Sequence, residues 1–174
     1  MAYTFFMAQG LSIGDSIHEK EQLETAKEFL KEAAAKKIPI WLPKDIVVAS
    51  DFRDDAPSEV IEVEKGIPKG WQGMDTGPKT VHEWEAQLKK AATIFWNGPL
   101  GVFEFPHFAK GTNQIALLLA GLKATTIVGG GDSVAAINNL GVAKKFSHVS
   151  TGGGASLEYL ELGHLPGIDA LTDA

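Results

Sequence analysis

Thr126-Ile-Val-Gly-Gly-Gly-Asp-Ser133 and His148-Val-Ser-Thr-Gly-Gly-Gly-Ala-Ser156 are two copies of one arrangement: a β-branched run enters three glycines, and a small polar residue then opens an apolar, helix-like stretch. Glycine tolerates positive φ and lets backbone N–H groups approach an anion closely, and the helix that follows adds the partial positive charge of its N-terminus. The chemistry this suits is the handling of phosphate. A single triple glycine reads equally as a tight turn. Two of them at the ends of successive strand-like runs favour the anion-binding reading. Neither G-x-x-x-x-G-K-[ST] nor G-x-G-x-x-G occurs, so the lysine-bearing phosphate loop and the nicotinamide fingerprint are both disfavoured.

The elements that must position these turns alternate between helix and strand. Leu23, Ala26, Phe29, Leu30 and Ala33 form one apolar stripe among charged residues between Glu19 and Lys37, which predicts an amphipathic helix. Ile38 to Leu42 reads as an extended segment interrupted at Pro43 and resumed at Ile46-Val-Val-Ala49. The acidic, turn-rich stretch from Asp51 to Gly70 carries a Val60–Val63 alternation that suggests a short hairpin arm. Thr80-Val-His-Glu83 has the capping-box pattern ahead of a helix with Val81, Trp84 and Leu88 at its spacing. Thr93–Trp96, Thr125–Val128 and the run around Phe146–Val149 read as strands, with helices expected over Gly111–Gly121, from Ser133 to about Leu140 and from about Ala155 to Leu162. This order predicts a three-layer α/β/α, Rossmann-like parallel sheet. In such a sheet every strand-to-helix turn leaves at one edge, so the turns 96–104, 129–133 and 151–156 are expected to line a single site there.

With 174 residues, 44% of them hydrophobic, the chain is long enough for one core, and a single domain is expected. The formal charge of −6 leaves no basic stripe to neutralise nucleic acid or an anionic membrane. Cysteine is absent, which excludes disulfides and thiolate metal sites. The apolar opening Met1–Ala8 lacks a basic flank and a cleavage-site pattern, and no run approaches the length of a membrane span, so the chain reads as cytoplasmic. His18, His82, His107, His148 and His164 show no H-x-x-x-H pair and need no role in metal binding. The four tryptophans, Trp41, Trp71, Trp84 and Trp96, read most simply as core or pocket-wall residues.

Trp96-Asn-Gly-Pro-Leu-Gly-Val-Phe-Glu-Phe105, Ile127-Val-Gly-Gly-Gly-Asp-Ser133 and Phe146-Ser-His-Val-Ser-Thr-Gly-Gly-Gly-Ala-Ser-Leu-Glu158 resemble successive signatures of phosphoglycerate kinase. Gly66–Pro78, Met1–Phe5 and Leu165–Leu171 extend the resemblance over the whole chain. It implies an enzyme of glycolysis that moves a phosphoryl group between 1,3-bisphosphoglycerate and ADP with Mg²⁺, ADP and ATP being substrates. Residues 1–174 would be part of its C-terminal, nucleotide-binding domain. The N-terminal domain that holds 3-phosphoglycerate has no counterpart here, nor do the first strands of the nucleotide domain, so an incomplete or rearranged sheet is expected. Met1 resembles an internal methionine of the family. The alternative to catalysis is a truncated, non-catalytic module that binds a nucleotide or a partner.

The resemblance also assigns roles. Asp132 would link to Mg²⁺, since a carboxylate among phosphate-facing glycines is otherwise repelled by the nucleotide; capping of the following helix is its alternative. Ser133 resembles a hydroxyl that touches the phosphates or caps the helix, and Gly130 and Gly131 would supply backbone donors. Glu104 resembles the carboxylate that accepts hydrogen bonds from the ribose, against a plain solvated glutamate. Asn97, Pro99, Gly101 and Val102 match the loop bordering the nucleotide, with Val102 against the base. Gly73 and Met74 would close the adenine pocket, although Met74 also suits a core. Gly152, Gly153 and Gly154 would offer amides to the transferring phosphoryl group, a purely electrostatic contribution to catalysis. Lys79 and Lys110 match no catalytic lysine.

Overall fold

A computed structural model describes residues 2–171. The chain divides into two compact units, residues 2–86 with 100–114 and residues 87–99 with 115–171.

In the first unit, helix α1 (Ala2–Ala8) packs against α2 (Leu23–Ala35), with the Phe5 and Phe29 ring centroids 5.7 Å apart. The amphipathic stripe forms α2 as the spacing predicts, burying Ala26 and Ala33. Strand β1 (Asp45–Ala49) lies between β2 (Ser58–Glu62) and β3 (Gln72–Thr76), antiparallel to both. The arm expected within residues 51–70 pairs instead with β1 as its partner strand, Val47 lying opposite Val60. Between β1 and β3 the register shifts. Val47 faces Asp75 while Val48 faces Gly73, so Met74 is the extra residue of a bulge. The bulge allows the consecutive Met74 and Asp75 both to be buried. Phe6, Ile13, Ile46, Val48, Val63 and Ile67 form one core cluster of this unit; Ala49, Ala56, Met74 and Phe108 form another, with Val102 and Phe105 packed against it.

The second unit holds the parallel sheet. Strands β4 (Thr93–Asn97), β5 (Thr125–Gly129) and β6 (His148–Ser150) pair in that order, in register from Thr93 opposite Thr125 to Gly129 opposite Ser150. Helices α4 (Lys110–Gly121), α5 (Gly131–Asn139) and α6 (Gly153–Leu162) connect and follow these strands, and α7 (Pro166–Asp169) ends the described chain. Val128 at the centre of the sheet is fully buried, as are Ala116 on α4 and Ile137 on α5. The α/β fold with a parallel sheet therefore appears as expected, shortened to three strands, and β1 belongs to a different, antiparallel sheet.

Two local expectations are corrected. Ile38–Leu42 is not a strand: extended backbone becomes a strand only by pairing, and among the described residues no neighbour pairs with it. Ile38 and Trp41 remain exposed. Thr80 does not open its helix either. Helix α3 (Pro78–Leu88) begins two residues earlier, with Pro78 at a first-turn position where no N–H is needed. Its cap comes from β1, where the Asp45 carboxylate accepts the N–H groups of Lys79 at 3.0 Å and Thr80 at 2.8 Å. The Thr80 hydroxyl donates to the same carboxylate at 2.6 Å and accepts the Lys44 N–H at 2.8 Å. A cap borrowed from a strand 35 residues away leaves no local signal.

Asp45→Ala strands these donors in a buried site, and we expect it to lower the unfolding free energy by about 2–4 kcal/mol. Asp45→Asn, which keeps one acceptor, should lose about half as much. Urea denaturation followed by circular dichroism distinguishes the two; equal losses would mean that the carboxylate's second acceptor is immaterial.

Candidate active site

In the second unit the two glycine turns meet at the C-terminal edge of the parallel sheet. β5 ends in Gly129 and turns through Gly130, whose φ of +90° is open to glycine and costly for other residues. The Gly130 N–H donates to Ser150 O of β6 at 3.1 Å. From Gly131 the chain winds into α5, and from Gly153 into α6. A Cβ on Gly153 would lie 3.1 Å from Gly130 Cα, and one on Gly130 would lie 3.0 Å from Asn97 Oδ1. Glycine is thus required because two turns and the Asn97 side chain crowd one point. The opening N–H groups of α5 and α6 have no partner within their own helices, and the positive ends of both helices arise at this edge. Such an arrangement suits phosphate oxygens.

The other residues expected here divide by their environment. Asp132 is exposed in the first turn of α5, free to meet a cation beside bound phosphates. Ser133 is fully buried, and its hydroxyl accepts the Gly98 N–H at 2.7 Å, so it pins the β4 loop to α5. Gly98 has φ +109°, and its carbonyl accepts the Trp96 indole N–H at 2.6 Å, which sets the turn that Pro99 continues. Gly152 caps α6 in extended conformation, and its N–H donates to Ser150 Oγ at 3.3 Å. The Ser156 hydroxyl donates to the Gly152 carbonyl.

The first unit gathers Gly73, Met74, Gly101, Val102 and Glu104. The Met74 carbonyl accepts the Val102 N–H at 2.8 Å, which fastens the loop after β4 to the bulge of β3. Met74 is 1% exposed, so its side chain fills the core, while Val102 is half-buried and Glu104 exposed. Gly73 is glycine for a nearby reason, since a Cβ there would overlap the Tyr3 phenol. Burial raises the Tyr3 hydroxyl above its ordinary pKa, with the Asp75 charge adding to the shift, and keeps it neutral. Lys79 ion-pairs with Glu62 at 3.0 Å.

Residue-type reasoning passed over Asp75 and Thr112. Asp75 is 2% exposed, and burial pushes its carboxyl up to about 6 against the pull of the Gly111, Thr76 and Lys110 N–H groups and of the Lys110 charge. Its carboxylate accepts the Thr76 and Gly111 N–H groups, each at 2.8 Å. The fully buried Thr112 hydroxyl accepts the N–H groups of Leu100 and Gly101, at 3.0 and 3.2 Å. An aspartate just before Thr76-Gly77-Pro78 reads as a turn residue, and only the bulge that buries it distinguishes it.

Among the described residues no helix is long and apolar enough to cross a membrane, and no three histidine, aspartate or glutamate side chains gather into a metal cluster. A single exposed carboxylate is still a fit partner for Mg²⁺, which keeps several waters and commonly takes one or two carboxylates together with substrate phosphates.

Residues 1–163 match the family model described as phosphoglycerate kinase. The phosphoglycerate kinase of Synechococcus sp. (strain WH7803) is 53% identical over all of this chain and 44% of its own length, and that of Limosilactobacillus reuteri is 53% identical over 99% of the chain and 42% of its own. Phosphoglycerate kinase from Coxiella burnetii superposes with a TM-score of 0.90 at 42% identity, over 97% of this chain and 43% of that one. The Pyrococcus horikoshii OT3 enzyme does so with a TM-score of 0.80 at 32% identity, over 98% and 42%. The chain spans less than half the length of these relatives. With matches of this extent, the chain belongs to the phosphoglycerate kinase family.

Proposed function

We propose that this chain supplies the nucleotide side of a phosphoglycerate kinase site that works in glycolysis in the cytoplasm. The reaction transfers the acyl phosphate of 1,3-bisphosphoglycerate to ADP: the bond from phosphorus to the carboxyl oxygen breaks, a bond to the terminal ADP oxygen forms, and 3-phosphoglycerate and ATP result. The observation that carries the reading is the crowding of the Gly130 and Gly153 turns at the open edge of the parallel sheet, with two helix N-termini behind them.

In this reading the Gly131 N–H holds the phosphates of the nucleotide, while Gly130 shapes the turn and gives its own N–H to Ser150 O. Gly153 and Gly154 direct theirs at the phosphoryl group in transit, whose charge is spread over its equatorial oxygens, and Gly152, whose N–H goes to Ser150 Oγ, sets the start of α6. These donors are fixed by the fold, so they need no reorganisation as the charge moves. Ser133 and Asn97 keep the β4 loop and the two turns in register, Pro99 and Gly101 shape that loop, and Gly73 and Met74 back the base. Val102 packs against the adenine and Glu104 accepts the ribose hydroxyls. Asp132 would hold Mg²⁺, which when bound offsets the negative charge of the phosphates. The acidic substrate is assigned to the family's N-terminal domain. A second reading is a nucleotide-binding module without turnover of its own.

Calorimetry of the purified chain with Mg-ADP should therefore give saturable binding, whereas a coupled assay with 3-phosphoglycerate and ATP should show no turnover, because phosphoryl transfer depends on positioning both substrates. Turnover by the chain alone would refute the modular reading; absence of nucleotide binding would refute both.

Two variants separate the parts of the site. Asp132→Ala should abolish the gain in ADP affinity that Mg²⁺ brings while leaving metal-free ADP binding within about twofold. Glu104→Ala should weaken ADP by about tenfold with or without Mg²⁺, the worth of a hydrogen-bonded carboxylate. A full Mg²⁺ enhancement in Asp132→Ala would leave Asp132 as no more than an acidic residue in the first turn of α5, which begins at Gly131 rather than at Ser133 and has Gly130 as its N-cap.

A further inference from the structure

We infer that Asp75 is a positioning residue for the nucleoside end of this site, holding the loop that bears Val102 and Glu104, and that it does so only as a carboxylate. The inference rests on the nucleotide reading above.

The loop hangs from β3 and from the start of α4. Its Val102 N–H is held by the Met74 carbonyl at 2.8 Å, next to Asp75, and its Leu100 and Gly101 N–H groups by Thr112 Oγ1 at 3.0 and 3.2 Å. Thr112 is in turn placed by Asp75, whose Oδ2 accepts the N–H of the preceding Gly111 at 2.8 Å and seats the first turn of α4. The loop backbone also lies directly on the carboxylate. A Cβ on Gly101 would fall 2.3 Å from Asp75 Oδ1, and one on Gly111 2.6 Å from the same oxygen. Side chains at these two positions would push the loop away.

Protonation weakens Asp75 as an acceptor. Oδ1 accepts the Thr76 N–H and Oδ2 that of Gly111, both at 2.8 Å in a site 2% exposed, so the oxygen that takes the proton holds its N–H less strongly, and an amide NH₂ in place of either oxygen would set a donor against a donor. Burial sets the carboxyl to titrate at about 6, within the working range of a cell. The groups around it are accounted for. On α4, Lys110 favours the carboxylate; on α1, the Tyr3 phenol is held neutral; on β1, the facing residue is Val47. Asp45 of β1 is committed to α3, Glu104 of the loop is exposed, and the exposed His107 is paired with Asp54 at 3.0 Å.

The sign follows from the raised pKa. As pH falls through about 6 the carboxyl takes up a proton, the Gly111 seat weakens, and the loop loses its register. In the same interval the folded chain gains a proton that the unfolded chain does not, so the effect on the loop differs from a general acid unfolding.

The test is adenosine binding by the full chain, followed by nuclear magnetic resonance from pH 5 to pH 7.5; adenosine has no group titrating there, unlike ADP. Wild type should bind about tenfold more weakly at pH 5 than at pH 7.5, the ratio expected when only the ionised form is competent. Asp75→Asn should bind weakly and without the inflection. His107→Gln should keep the inflection, which makes the wild-type profile interpretable even where Asp75→Asn fails to fold. Binding by wild type that does not vary with pH, or an inflection that survives in Asp75→Asn or vanishes in His107→Gln, overturns the proposal alone. A folded chain that binds no adenosine at any pH overturns the nucleotide reading beneath it as well.

Discussion

Buried carboxylates set against helix N-termini are the constraint on which the first unit depends. Asp45 of β1 receives the opening N–H groups of α3, and Asp75 of β3 receives that of Gly111 in α4. An ionised carboxylate leaves water at considerable cost, and the cost is offset only where both oxygens find donors. A helix N-terminus provides such donors, fixed in direction and backed by the helix dipole. Each carboxylate therefore seats the start of one helix, and the Asp75 contact also bears on where the loop carrying Glu104 runs, since that loop has glycine at the point nearest the carboxylate.

The second unit solves a different problem with less chemistry. Its parallel strands end together, so successive turns emerge side by side, and a side chain on Gly153 would press against Gly130. The side chains that remain are used inward. Ser133 holds Gly98, and Ser156 holds the Gly152 carbonyl. What remains at this edge is the start of α5 and of α6, with the exposed Asp132 in the first turn of α5. A surface of amides with one carboxylate is poorly suited to proton transfer and well suited to charge stabilisation, which is what a phosphoryl transfer asks of a protein.

Membership of the phosphoglycerate kinase family, over less than half the length of its relatives, gives the two units a shared context. In the proposed function, the first unit carries the residues assigned to a base and ribose, the second those assigned to phosphates. The bulge at Met74 links the core to the first set, because it turns two neighbouring residues inward at once and leaves the Met74 carbonyl to hold Val102. Packing and recognition thus share a residue there.

The sequence by itself determined the parallel strands and their helices, the amphipathic α2 and the two glycine turns, because periodicity and glycine act over a few neighbouring residues. Tertiary structure decided the rest. Ile38–Leu42 has the residues of a strand and lacks a neighbour to pair with among the described residues, and Thr80 has the pattern of a cap and yields that place to Asp45. Met74 and Ser133, legible as site residues, turn out to have buried side chains engaged in the core and in a loop clasp. Asp75 looked like part of a turn and became the support of a loop, through a hydrogen bond to a residue 36 positions away. The physical reason is common to all five: what a polar or apolar group does depends on which partner reaches it, and those partners are brought by the fold from distant parts of the chain.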